Sequence, residues 1–206
     1  MDGTQPKTRI QKKNHEAILD AALDVFSAEG YRGATLDQIA NAAGLSKPNV
    51  LYYFASKEAI YTEVLSRLLD TWLDPLIALN ADGEPVEELL GYVARKFEMS
   101  REFPRESRLF ANEIVQGAPR IHDQITGPLR ALVDEKAAII QGWIDDTRLA
   151  PIDPHHLIFS IWATTQHYAD FDVQVRGILQ STQNAHLDDA GVFLETLFRR
   201  ALTPEN

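Results

Sequence analysis

Apolar residues recur along this chain at spacings of three and four, the period of an amphipathic helix, and no stretch shows the strict alternation of a half-buried strand. From Ile10 the first such stretch puts Ile18, Ala21, Ala22, Val25 and Phe26 on one face and stops at Gly30. After the connector Tyr31, Arg32 and Gly33, Thr35 opens a short helix as its N-cap, and Gln38 can reach back to complete a capping box. Leu36, Ile39, Ala40 and Ala43 give that helix its apolar face, and Gly44 suits a left-handed C-terminal exit. Ser46 then caps a second short helix with Pro48 in its first turn, where a missing N–H costs little. A long helix follows through Ile60, Val64, Leu68, Leu69 and Trp72, which Asp74 and Pro75 bend or interrupt. Further helices are expected over about residues 86–101, 104–116, through Leu132, Ile139, Ile140 and Trp143, over about 154–179 with Asp153 as cap, and over 187–202. The predicted class is all-α.

The pair of short helices in TLDQIANAAGLSKPNVLYYFASK, residues 35–57, makes a helix-turn-helix, whose second helix is built to lie in the DNA major groove. Val50, Leu51 and Phe54 are expected to anchor that helix, and Lys47, Asn49, Tyr52 and Tyr53 to project outward. Asn49 has the amide that pairs with adenine, and Lys47 can donate to guanine or to a phosphate. Lys57 follows a further cap, Ser56, so a helix N-terminus and a positive charge are expected to face a backbone phosphate. Two tyrosines and an asparagine on so short a helix make a poor core face, which argues against a plain helical hairpin.

Charge at first opposes a nucleic-acid partner, since 206 residues carry a net −10. The distribution removes the objection. Residues 1–60 hold seven Lys/Arg against seven Asp/Glu, and the rest of the chain holds 13 against 23. DNA would therefore be approached by the N-terminal end. Residues 1–9 read as a disordered basic arm, and Lys7 and Arg9 with the adjacent Lys12 and Lys13 can lie on DNA, or equally belong to a solvated tail. A boundary is expected near residues 55 and 56, with the DNA-reading domain over 10–55 and a larger helical body over 56–206. There is no cysteine, which suits a reducing cytoplasm, and no apolar run long enough for a bilayer. A cytoplasmic location with no membrane partner is the expectation.

Thr35, Ile39-Ala40, the run from Ala43 to Ser46, the run from Leu51 to Phe54, and Ser56-Lys57-Glu58 resemble the DNA-binding signature of the TetR family of transcriptional regulators. The resemblance implies an all-helical homodimer with an N-terminal three-helix DNA-binding domain and a C-terminal domain for ligand binding and dimerisation. It implies a palindromic operator and a small-molecule effector. Carried onto this chain, the DNA-binding residues are Thr35, Ser46, Lys47, Pro48, Asn49, Tyr52, Tyr53 and Lys57.

The sensing body has its densest group of unusual side chains between Phe159 and Phe171. Helical spacing puts Phe159, Trp162, Ala163, Gln166 and Asp170 near one face, and Ile161, Thr164, Thr165 and Tyr168 on another. One face can pair with its copy while the other lines a pocket. Gln166 stands on an otherwise apolar face; either a neighbouring helix or a planar ligand can satisfy its amide. The run LAPIDPHHLIFSIWATTQHYADF at 149–171, with LDTWLDPL at 69–76, SRLF at 107–110 and VDEK at 133–136, resembles the pyrimidine-utilisation regulators within that family. That implies a regulator, mainly a repressor, released from DNA by uracil or thymine. Gln166 can match the alternating donors and acceptors of uracil, and Trp72 and Trp162 can supply flat walls. Tyr168 joins this expected set. Lys96 can donate to a uracil carbonyl, or stand as a solvated surface lysine. A different planar or apolar effector is the rival reading. An enzyme is not expected: His155, His156 and His167 do not share a helix face, and no HxxxH pair, nucleophile elbow or phosphate-binding glycine loop occurs. Neither a metal nor a cofactor is expected.

Overall fold

A computed structural model describes residues 9–181 and 184–204, and among them every regular element is helical. The expected arm at residues 1–8, with Lys7, lies outside the described residues. Arg9, Lys12 and Lys13 belong to the first turns of a helix. The chain divides into two compact units, residues 1–69 and residues 70–206.

The first unit holds α1 (Arg9–Gly33), α2 (Leu36–Ala42), α3 (Lys47–Tyr53) and most of α4 (Lys57–Ile77). Regular helix in α1 breaks at Gly30, whose φ of 68° belongs to the left-handed region that a Cβ disfavours. At α2 both arms of the capping box form: the Gln38 N–H donates to Thr35 Oγ1 at 3.2 Å, and the Thr35 N–H donates to Gln38 Oε1 at 2.8 Å. Gly44, at φ +66°, closes the helix. Ile18, Ala22, Phe26, Ile39, Val50, Ile60 and Leu65 are buried in its core, the larger of them each about 1.5–3 kcal/mol better there than in water.

The second unit takes the last turns of α4, then α5 (Pro85–Glu102), α6 (Pro104–Val115) and α7 (His122–Gln124). A π turn over Ile125–Leu129 leads into α8 (Arg130–Asp145), followed by α9 (Pro154–Asp170), α10 (Asp172–Leu179) and α11 (Ala185–Leu202). Helix α5 packs chiefly against α9 and α11, and α6 and α8 pack on α9. Leu89, Tyr92, Val93, Ile140, Ile158, Ile161, Leu194 and Leu202 lie in the shared core. Asp153 caps α9 by accepting from the His156 N–H at 2.9 Å.

Two helix boundaries differ from the sequence reading. Pro75 does not interrupt α4; it sits within the helix, and the Ala78 N–H still reaches the Asp74 carbonyl at 3.0 Å. The helix expected over 154–179 breaks at Phe171, where φ −115° and ψ 27° leave helical space. Neither glycine nor proline marks that point. The residue before it, Asp170, is held from α6 by the Ser107 hydroxyl, which donates to its carboxylate at 2.6 Å.

Candidate functional site

The DNA-facing candidate is built around α3. Ser46 Oγ accepts from the Asn49 N–H at 3.4 Å and Pro48 sits in the first turn, so the helix starts with its backbone donors provided for. Val50 and Phe54, four residues apart, are buried and face the core. Lys47, Pro48, Asn49 and Tyr52 are exposed, and Tyr53 is half-buried. Leu51, expected among the anchors, is 42% exposed: one residue past Val50 it is turned about 100° away from the anchored face. The outward face of α3 is thus broader and more apolar than its polar residues suggested.

Both tyrosines are braced from α1. Gln11 Nε2 donates to the Tyr52 hydroxyl at 3.2 Å, and Asn14 Nδ2 donates to the Tyr53 hydroxyl at 3.1 Å. The rings meet edge to face at 5.1 Å. Behind them His15 stacks on Phe54 at 4.8 Å. Lys47 forms an ion pair with Asp37 of α2 at 2.9 Å, so its ammonium is held over the turn between the two helices. Thr35 spends its hydroxyl on the capping box, donating to Gln38 Oε1 at 2.8 Å.

Lys57 is placed otherwise than the sequence suggested. Its ammonium turns inward and donates to the carbonyls of Tyr31 and Ala34, each at 2.7 Å, over the Tyr31 ring at 4.5 Å. In the DNA-free chain that charge satisfies carbonyls around the turn after α1, and a phosphate would have to compete for it. What the start of α4 offers outward is its backbone.

In the second unit, Trp72, Trp162 and Tyr168 of the expected effector set each contact a residue of α5, the helix that carries Lys96. Lys96 is only 3% exposed, which removes the solvated-lysine reading. Its Nζ lies 4.4 Å from the centre of the buried Trp72 ring and 3.4 Å from the Trp72 carbonyl. One turn earlier on α5, the buried Tyr92 accepts from the half-buried Trp162 indole N–H at 2.6 Å. Tyr168 meets Phe97 edge to face at 5.5 Å. Gln166 is half-buried and bonds to no other side chain or backbone group among the described residues. Of the two stripes expected on α9, the first divides. Trp162, Gln166 and Asp170 turn partly inward, whereas Phe159 and Ala163 are exposed beside His167.

Two contributors escaped the sequence reading. Tyr92 and Ser100 flank Lys96 at a spacing of four, a polar stripe on the buried side of a helix that periodicity alone reveals once the helix is known to be central. Asp170 was placed on the right face without a partner. The structure gives it Ser107, with Arg108, His167 and Lys96 as nearby charges, while burial pushes its carboxyl above the usual range. The polar groups on offer here are the Lys96 amine beside the Trp72 indole and the Gln166 amide. Among the described residues no group of three or more His, Cys, Asp or Glu side chains is arranged to hold a metal ion.

A braced helix-turn-helix at one end of an all-helical chain, and a buried polar cluster in the rest, define a transcriptional regulator of the TetR type. Residues 18–64 match the model of the bacterial regulatory proteins of the tetR family, and residues 65–205 match that of the C-terminal region of YcdC-like proteins. The chain belongs to the TetR family. It is similar to the HTH-type transcriptional regulator RutR of Escherichia coli K12, with 51% identity over 179 residues, 87% of this chain and 84% of that protein. Among solved structures, a regulatory protein of the tetR family from Rhodococcus RHA1 superposes with a TM-score of 0.73, covering 97% of this chain and 100% of that one at 16% identity. The fatty acid degradation regulator FadR from Bacillus halodurans gives 0.65 at 19% identity, covering 92% and 96%. At those identities the structures speak for the fold alone. The protein is a DNA-binding regulator and not an enzyme, and no helix among the described residues is long and apolar enough to cross a membrane.

Proposed function

We propose that the protein is a cytoplasmic homodimeric regulator, mainly a repressor, of pyrimidine-utilisation genes, released from a palindromic operator by uracil or thymine. The observation that carries the reading is the inward face of α5 and α9. Lys96 lies buried against Trp72, and Gln166 stands half-buried with no protein partner. A pyrimidinedione has a flat ring, carbonyl oxygens for Lys96, and an alternating donor and acceptor edge for the Gln166 amide. Trp162, held by Tyr92, and Tyr168 complete the set of side chains assigned to the effector. The similarity to RutR supports the same choice.

On the DNA side, Asn49 reads a base edge, Lys47 contacts guanine or phosphate, and Tyr52 and Tyr53 contact the backbone. Ser46, Pro48 and Thr35 hold the helix starts near the duplex, and Lys57 sets the turn before them. Phe159, Ala163 and His167 on α9 and Phe193 and Leu197 on α11 are exposed along helices that would pair with their copies. The deciding experiment is thermal denaturation with uracil, thymine, cytosine and an unrelated planar aromatic. Uracil and thymine should raise Tm in a saturable way and the others should not. Stabilisation by the unrelated ring alone would replace the effector.

A further inference from the structure

We propose that Lys96 is a proton-linked reader of the effector: a neutral amine in the empty site above neutral pH, it takes one proton from solvent when a carbonyl-bearing ring fills the site. The proposal rests on the effector reading above and adds the regulation of that site by pH.

The geometry is that of an ammonium left short of partners. A charged lysine has three N–H donors and no acceptor. At 3% exposure Lys96 is shielded from bulk solvent, and its hydrogen bonding to protein is one long contact, 3.4 Å to the Trp72 carbonyl. The Trp72 ring at 4.4 Å adds attraction without accepting a proton in a defined direction. The other inward lysines are better supplied. Lys57 has two carbonyls at 2.7 Å, and Lys136, nearly as buried as Lys96, has Glu135 at 3.2 Å.

The charged and titratable groups around Lys96 do not make good the deficit. Helix α4 presents Trp72, and α5 itself presents the Tyr92 phenol one turn away. Helix α9 presents Asp170, on whose carboxylate Ser107 and Arg108 of α6 and His167 of α9 also act. Asp170 is the charge that favours the ammonium, but it already accepts from Ser107 at 2.6 Å and answers to Arg108 and His167 as well. Burial in that position disfavours the ammonium relative to the neutral amine. Burial lowers the Lys96 pKa to about 7, with Asp170 opposing the shift.

A ring carbonyl placed against Nζ supplies the missing acceptor and favours the charged form. The sign follows. Below neutrality the empty site already holds the proton, and binding is independent of pH. Above it, the ligand must bring a proton with it, so affinity falls as pH rises. A carbonyl of a lactam or imide ring is the ligand chemistry required; a hydrocarbon of the same shape would leave the amine neutral and bind without proton uptake.

Two measurements on the full-length chain test this. Calorimetric titration of uracil, run in buffers of different ionisation enthalpy, should show close to one proton taken up per ligand at about pH 8 and near none at about pH 6. Affinity should fall by up to roughly tenfold per pH unit above neutrality. Lys96→Met should abolish the uptake, whereas His167→Gln should keep it, which separates the amine from the neighbouring imidazole. NMR titration of wild-type protein carrying 13Cε-labelled lysine reads the amine directly, without ligand. Lys96 should titrate near neutrality and move upward on saturation with uracil.

A free-site titration in the ordinary lysine range overturns the proposal, and so does uracil binding without proton uptake at about pH 8. Should uracil fail to bind while Lys96 still titrates near neutrality, the uracil assignment falls and the neutral-amine half is supported.

Discussion

The indole N–H of Trp162 donates to the hydroxyl of Tyr92 over 2.6 Å, joining α9 to α5 beside Lys96. Burial pushes the Tyr92 phenol well above its ordinary range, so it stays neutral and available as an acceptor at any pH the protein meets. Tyr92→Phe keeps the ring and orphans the indole N–H. Because Trp162 is half-buried, the cost should fall at the low end of the range for a lost partner, about 1 kcal/mol. For a chain of this size that is a fall in Tm of about 2–4 °C. Thermal denaturation checks it; an unchanged Tm would show that water replaces the hydroxyl freely.

Lys57 yields a prediction that separates two roles. With its ammonium on the carbonyls of Tyr31 and Ala34, Lys57→Met should destabilise the first unit by about 1.5–3 kcal/mol, the range for bonds from a charged donor. A phosphate contact would instead show in the salt dependence of DNA affinity, whose logarithmic slope would drop by about one. The expected result is a lower Tm with the slope unchanged. A normal Tm with a reduced slope would put the side chain on DNA.

How much of this was legible before the fold depended on how local each cause is. The helix-turn-helix could be read because Thr35, Gln38, Gly44, Ser46 and Pro48 act within a few residues of themselves, and the structure forms each of those caps. Leu51 was put on the wrong face because a helix of seven residues holds too few turns for periodicity to fix its phase. The break at Phe171 was invisible, since neither glycine nor proline marks it and the Ser107–Asp170 bond beside it joins residues 63 positions apart. Lys96 shows the same limit: its sequence neighbours do not reveal that α5 is packed between α9 and α11 with this face buried.

On α3, exposure divides the roles. Asn49→Ala should change which operator variants are preferred, with a loss of about 1–3 kcal/mol confined to the contacted base pair. Tyr52→Ala should weaken binding to every sequence alike, as a backbone contact does, and it also releases the brace from Gln11. Binding to a panel of duplexes selected from a random pool tells them apart. Two mutants indistinguishable from wild type would remove α3 from the groove.

Assembly is tested at Ala163, which is exposed on α9 between Phe159 and His167. If copies of α9 and α11 meet there about a two-fold axis, each protomer presents the same patch twice and one arginine becomes two facing charges. Ala163→Arg should give monomers or aggregates in light scattering and lose tight operator binding. A native dimer from that variant would move the interface to another face.

The last prediction concerns Gln166, the half-buried amide without a protein partner. Gln166→Leu keeps most of the side-chain volume and removes both the donor and the acceptor. The ring's polar edge would then be left unpaired, at a cost of about 1–3 kcal/mol. Gln166 is on α9 and no DNA role is assigned to it, so the variant should bind operator as wild type does. It should need roughly ten- to a hundredfold more uracil for release. Linkage sets a second condition: if uracil weakens DNA binding by some factor, DNA must weaken uracil binding by the same factor, in the variant as in the wild type. Titrating uracil into preformed operator complexes of both proteins measures the first. Calorimetry with and without DNA measures the second. Coincident release curves would mean that another side chain reads the ring, whereas displaced curves with an unchanged linkage factor would place Gln166 in the contact and outside the switch.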